Sequence, residues 1–169
     1  LHTLEGFDDS GVRKAAFSRN GKVIGATNSG QLGIWNIEKG THKLFDVHID
    51  RTVDALVTHP TDEIAVSNDM SGVTLVWDLD KEEIKQRLTE KKGHFISGMF
   101  HYGANSAYWK DDYLVLGGPT VDVYNNDFEL LHELRGFAFP PNGLCVQDGI
   151  VWASGDFIKA WSLETGDEL

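Results

Sequence analysis

Cysteine, basic residues and long apolar runs are what this sequence lacks. Cys145 is its one cysteine, so no internal disulfide can form. Set in an apolar stretch, it reads as a buried structural thiol and points to a reducing compartment. Lysine and arginine total 15 against 26 acidic residues, a formal charge of -11, whereas nucleic-acid binders gather Lys and Arg on one face. The densest basic stretch, Lys85 to Lys92, is broken by Glu90 and has no aromatic ladder, so it reads as a solvated outer strand and loop. Nucleic acid is thereby disfavoured as a partner, and an acidic surface suits basic proteins or peptides. No apolar run reaches the roughly 20 residues of a membrane helix and no signal-peptide pattern opens the chain. The expectation is a soluble intracellular protein, cytoplasmic or nuclear, with no membrane partner. Its first residue is Leu1 rather than Met, as in a fragment or a trimmed chain.

Constellations that carry chemistry are also missing. His2, His42, His48, His59, His94, His101 and His132 show no metal-ligand spacing and have no second cysteine to accompany them. The glycines sit in hairpin turns rather than in a phosphate cradle between a strand and a helix. There is no Gly-x-Ser-x-Gly elbow to activate a serine. The carboxylate pairs Asp8-Asp9, Glu82-Glu83 and Asp111-Asp112 fall in predicted turns, where solvation explains them better than acid-base work does. No catalytic residue, metal or cofactor is assigned, and the expectation is a protein that is not an enzyme.

What is present is turn chemistry and bulk. Five Trp, nine Phe and four Tyr supply packing anchors, and 18 Gly against four Pro favour many short strands over a few long helices. A repeat organises them. Leu32-Gly33-Ile34-Trp35-Asn36-Ile37 returns as Thr74-Leu75-Val76-Trp77-Asp78-Leu79, as Val121-Asp122-Val123-Tyr124-Asn125-Asn126 and as Ile158-Lys159-Ala160-Trp161-Ser162-Leu163. The aromatics are spaced by 42, 47 and 37 residues, close to the length of about 40–45 expected for a propeller blade.

Apolar runs bounded by turn residues predict strands at 12–18, 23–27, 32–37 and 42–47, then at 53–58, 64–67, 73–79 and 83–88. The third repeat gives 113–116, 121–124 and 130–134, with its first strand at either 96–101 or 106–110. The fourth gives 143–146, 150–153 and 158–163. Runs such as Leu75-Val76-Trp77 and Leu114-Val115-Leu116 are apolar on both sides. Each sheet must therefore be covered on two faces, as in a radial stack of blades.

Trp77-Asp78, the weaker copies Trp35-Asn36 and Trp161-Ser162, the turns at Phe17 to Lys22 and at His59-Pro60-Thr61-Asp62, and the pair Gly93-His94 together resemble the WD-repeat β-propeller family over nearly the whole chain. The chain departs from the family in having Tyr124 where a Trp is usual and an incomplete buried His, Asp, Ser/Thr and Trp set in most repeats. The resemblance implies an all-β fold of four four-stranded antiparallel blades, at about 12–48, 53–89, 95–135 and 143–163. It also implies that His94 satisfies buried polar groups. By the same resemblance, loops joining fourth to first and second to third strands form a rim that grips peptides. The candidate contacts there are Phe7, Arg13, Asn28, Gln31, Arg51, Asp54, Met70, Phe95, Phe137, Phe139 and Phe157. The function implied is a non-catalytic scaffold for protein interaction and complex assembly. The alternative is an enzyme or sensor with a ligand in the central channel, which clustered His, Asp and Glu on the first strands would favour.

One further sequence match concerns the two ends. Leu1-His2-Thr3-Leu4-Glu5-Gly6-Phe7 parallels Leu131-His132-Glu133-Leu134-Arg135-Gly136-Phe137, which holds the third repeat's outer strand. Residues 1–6 are therefore expected to supply the outer strand the fourth repeat lacks. A single chain closing on itself would make a tight four-bladed ring. A segment of a larger ring, or half of a dimeric eight-bladed ring, is the favoured expectation.

Overall fold

The computed structural model of the chain is described at residues 3–8, 11–48, 50–88 and 106–169. Its strands are β1 (Val12–Phe17), β2 (Lys22–Thr27), β3 (Gln31–Asn36), β4 (Thr41–Asp46), β5 (Val53–Thr58), β6 (Ile64–Asp69), β7 (Thr74–Asp78) and β8 (Glu83–Leu88), then β9 (Ser106–Lys110), β10 (Tyr113–Gly117), β11 (Val121–Tyr124), β12 (Leu130–Leu134), β13 (Gly143–Gln147), β14 (Ile150–Ser154) and β15 (Ile158–Ser162). Consecutive strands pair antiparallel to give sheets β1 to β4, β5 to β8, β9 to β12 and β13 to β15. No helix occurs among the described residues. The chain is thus all-β, a repeat of up-and-down antiparallel sheets. It divides into two compact units, one of residues 1–69 and 73–89 and the other of residues 70–72 and 90–169.

The repeated dipeptide has a local cause. The small polar residue after each aromatic accepts a backbone N–H in the turn that follows the third strand of its sheet. Asn36 Oδ1 accepts from Lys39 at 3.0 Å, Asp78 Oδ1 from Lys81 at 2.9 Å, Asn125 Oδ1 from Asp127 at 3.0 Å and Ser162 Oγ from Thr165 at 3.2 Å. Such side chains mimic a backbone turn and fix the hairpin. Asp78 also meets the Lys81 ammonium at 3.2 Å. The Lys81 backbone N–H first, and its ammonium after it, hold the Asp78 carboxyl below the usual aspartate range against a smaller opposing effect of burial. The β13–β14 turn has Asp148 and Gly149 at φ 52° and 73°, the positive pair a two-residue type I′ hairpin requires.

In the first unit, Ile24, Ala26, Leu32 and Ile34 of the first sheet pack against Val53, Ala65, Leu75, Trp77 and Leu79 in and beside the second. The second unit repeats the pattern. Val115, Val121, Val123 and Leu134 of the third sheet meet Val146, Val151, Ala153, Trp161 and Leu163 in and beside the fourth. In both, the face of the earlier sheet that does not carry its own aromatic packs on the Trp face of the next. Tyr124 takes the aromatic position of the third sheet. Burial, with the Asp122 and Glu133 carboxylates nearby, holds its hydroxyl well above the ordinary phenol range.

Pairing registers make residue-by-residue comparison of the sheets possible. Trp35 lies opposite Val23, Trp77 opposite Ala65 and Trp161 opposite Val151. Two residues further along β2, β6 and β14 stand Gly25, Ser67 and Ala153. In the second sheet this position anchors a buried polar node. Trp77 Nε1 donates to Ser67 Oγ at 2.9 Å, Ser67 Oγ meets His48 Nε2 at 2.9 Å, and His48 Nδ1 meets Asp69 Oδ2 at 2.8 Å. All four residues are buried. One histidine tautomer, with its proton on Nδ1, lets each donor find an acceptor. Asp69 Oδ1 also accepts the Val73 N–H at 3.1 Å, so it closes the β6–β7 turn as well.

The first and fourth sheets fill the same place without the polar chain. Phe7 packs edge-on to Trp35 with centroids 4.8 Å apart, and Phe137 lies 5.9 Å from Trp161. A Cβ at Gly25 would fall 3.2 Å from both the Phe7 and the Trp35 rings, so the missing side chain is the space the phenyl ring uses. Thr27, aligned with Asp69, keeps the turn-closing role alone, its Oγ1 accepting the Gln31 N–H at 3.0 Å.

The structure departs from the sequence reading at the fourth sheet, and at the third it takes one of the two first strands the sequence offered. The first strand of the third sheet is Ser106–Lys110, whereas residues 96–101 lie outside the described ones. His94 also lies outside them, and the histidine of the second sheet's node is His48, five residues ahead of β5. The fourth sheet has three strands and an isolated bridge from Trp161 to Glu168, not four strands. Of the segment expected to complete it, residues 3–6 form no strand and lie on the first sheet instead. Trp35 Nε1 donates to the Glu5 carbonyl at 3.1 Å, and Phe7 is anchored over Gly25.

Candidate protein-binding rim

The loops that enter each first strand, and those joining second to third strands, carry the residues singled out as a rim. In the first unit they are rigidly tied. Arg13 at the start of β1 reaches Asp54 at the start of β5, Nη2 to Oδ1, at 3.0 Å. Asp54 is 5% exposed, so of this pair it is the Arg13 guanidinium, half exposed, that faces solvent. Gln31 Nε2 donates to Asp46 Oδ1 at 2.9 Å and its Oε1 accepts the Asp8 N–H at 3.4 Å. Thr52 donates to the Asn28 carbonyl at 3.2 Å.

Gly30 is the pivot of this region. At φ 90°, a Cβ there would stand 1.8 Å from the His48 carbonyl oxygen. Its own carbonyl accepts the His48 N–H at 3.1 Å. Only glycine permits that approach, and it ties the β2–β3 turn to the loop carrying the node histidine. Arg51 and Asn28 are exposed and Met70 is half-buried.

In the second unit the rim is aromatic. Phe137 stacks on Phe157 at 5.4 Å with planes 17° apart, and it also packs on the Trp161 indole. Lys159 Nζ lies 5.8 Å from the Phe157 ring centre and 6.0 Å from that of Trp161, and it pairs with Glu168. Phe157 remains 50% exposed and Phe139 60% exposed. These two keep exposed faces, whereas Phe137 and its counterpart Phe7 are half-buried anchors on their sheets' tryptophans. Phe95 lies outside the described residues.

Chemistry is sparse elsewhere. Among the described residues no three His, Cys, Asp or Glu side chains come together to hold a metal ion. Glu82 and Asp111 both adopt positive φ in their turns. The Glu82 carbonyl accepts from Lys43 Nζ at 2.8 Å, and Asp112 accepts from Asn126 at 2.7 Å. Cys145 is half-buried on β13. His59 Nδ1 accepts the backbone N–H of Thr61 and of Asp62, which holds the turn between β5 and β6. No helix is long and apolar enough to cross a membrane among the described residues.

No protein-family profile and no curated protein sequence matches the chain. Among solved structures, the chain resembles the computationally designed Ika4 protein at a TM-score of 0.74 and 26% identity, over 95% of this chain and 96% of that one. It resembles the computationally designed Ika8 protein at a TM-score of 0.74 and 25% identity, over 94% of this chain. The match spans about half of the Ika8 chain, 48%.

Proposed function

We propose that the chain is a segment of a WD-repeat-type β-propeller acting as a non-catalytic scaffold, which presents its rim to protein or peptide partners inside the cell. The observation that carries this reading is the pair of exposed aromatics in the loops beside the fourth sheet's strands, Phe139 and Phe157, the latter stacked on Phe137. Rigid aromatics on a defined frame lose little freedom on binding and commonly dominate interface energy. The charge of -11 favours basic partners. The His48, Ser67, Asp69 and Trp77 node supports the WD-type assignment, since it is the buried set that the family's resemblance implies.

The channel-ligand alternative has less behind it. First strands line the centre of a propeller of this type, and here they read VRKAAF, VDALVT, SAYWK and GLCVQ, with Asp54 their sole acidic residue and no histidine. The test is affinity capture with the immobilised chain. Replacing Phe139 and Phe157 together by Ala is expected to lower recovery of a partner at least about tenfold with an unchanged circular dichroism spectrum. Undiminished recovery would remove the rim from the proposal.

A further inference from the structure

The interface repeated inside each unit has its two halves presented again, exposed, on the fourth and first sheets. By register, Trp152, Ile158 and Ala160 of the fourth sheet occupy the places of Ile24, Leu32 and Ile34 in the first. In the first sheet those three are fully buried against the second. In the fourth, Trp152 is 42% and Ile158 72% exposed. The complementary half lies on the first sheet. Its Trp35 face carries Ala15 and Phe17 at the places of Leu56 and Thr58, which flank Trp77 in the second sheet. Ala15 is exposed and Phe17 is 71% exposed.

We propose that the Trp152, Ile158 and Ala160 face docks on the Trp35 face of a second copy of this chain, whose Thr3 and Leu4 extend the outer edge of β15. Three observations converge on that occupant. The two faces match the two sides of an interface the chain already builds twice. Phe7 is seated on Trp35 as Phe137 is seated on Trp161, and Phe137 comes three residues after the outer strand of the preceding sheet. Thr3 and Leu4 therefore stand where such a strand ends, and by the register of β12 they fall opposite Lys159 and Ile158. Finally, the chain matches about half of the Ika8 chain, so two copies supply that length. Two equal junctions of this kind close a symmetric pair and leave neither half of the interface uncovered. The inference goes beyond the scaffold reading, which stands or falls on partner capture rather than on self-association.

Light scattering on the 169-residue chain is expected to give about 38 kDa, twice the chain mass of 18.8 kDa. A mass of one chain at tens of micromolar would overturn the proposal. Ile158→Glu changes an exposed side chain, so the fold is expected to survive, read by circular dichroism, while dissociation becomes at least about tenfold easier. Dimer strength unaffected by that change would also overturn it. A Thr3→Cys, Lys159→Cys double variant in a Cys145→Ala background locates the junction. Oxidation is expected to give a covalent pair on a non-reducing gel, and a cross-link confined within one chain would refute the second copy.

Discussion

The first and second sheets solve the same packing problem with opposite chemistry. Around Trp77 the space beside the indole is filled by His48, Ser67 and Asp69, joined through hydrogen bonds of 2.8 to 2.9 Å. Around Trp35 the corresponding space holds a phenylalanine ring over a glycine, with Thr27 left to close the turn. A polar network is worth keeping only when complete, because a buried group that loses its partner bears the full cost of lost hydration. An aromatic contact instead degrades with lost area and shape. The second sheet should therefore be brittle and the first more forgiving.

The largest expected effect comes from breaking the polar node. His48→Phe takes the imidazole N–H from the Asp69 carboxylate and the acceptor from the Ser67 hydroxyl, and is expected to cost about 3–5 kcal/mol in urea unfolding. Adding Ser67→Gly and Asp69→Thr transplants the first sheet's solution and is expected to recover at least half of that loss, because residues in one network do not act additively. A triple variant no more stable than His48→Phe would show that the two nodes are not interchangeable.

A smaller effect is expected in the reverse direction. Gly25→Ser pushes a Cβ to 3.2 Å from two rings, a crowding expected to cost about 1–3 kcal/mol. Pairing it with Phe7→His should return part of the loss. A neutral Gly25→Ser would mean that the phenyl ring does not depend on the glycine.

The smallest effect distinguishes Asp78 from Asn36, which occupy the same turn position after their tryptophans. The Asp78 carboxyl is depressed below its unfolded value of 3.8. Its extra stabilisation is thus complete above that value and disappears as pH falls through the lower folded one. Asp78→Asn keeps the acceptor for the Lys81 N–H, so it is expected to cost at most about 1 kcal/mol at pH 7. Once the pH is below that lowered folded value, the two proteins should unfold alike. A pH-independent difference would show that shape rather than charge distinguishes the two turns.

These contrasts also show what the sequence made legible. The aromatic and small polar pairs were visible because each acts within three residues of itself, and the four-sheet, all-β organisation follows from them and from the intervening turns. The first strand of the third sheet was ambiguous because two apolar runs of similar length compete for it. The role of His48 was hidden, since its partners Ser67 and Asp69 lie 19 and 21 residues away and only the strand register reveals that they converge. Phe7 and Phe137 were read as rim contacts because both lie between an outer strand and the next first strand, in the loops the family resemblance places on the rim. Their anchoring depends on a hollow at Gly25 and on the small residues Ala153 and Gly155 near Trp161, which no local pattern announces. Phe139 and Phe157 remain the rim aromatics with exposed faces.

Strand order inside every sheet simply follows the chain, each strand bonding to its immediate predecessor. Loops closed by such neighbours are short, and short closures sacrifice little chain entropy before their contacts form. Each hairpin is consequently able to nucleate on its own, and a copied stretch of about 40 residues would arrive with its internal pairings intact. That locality makes the chain amenable to growth or shrinkage by whole sheets, with the outermost faces deciding where addition stops.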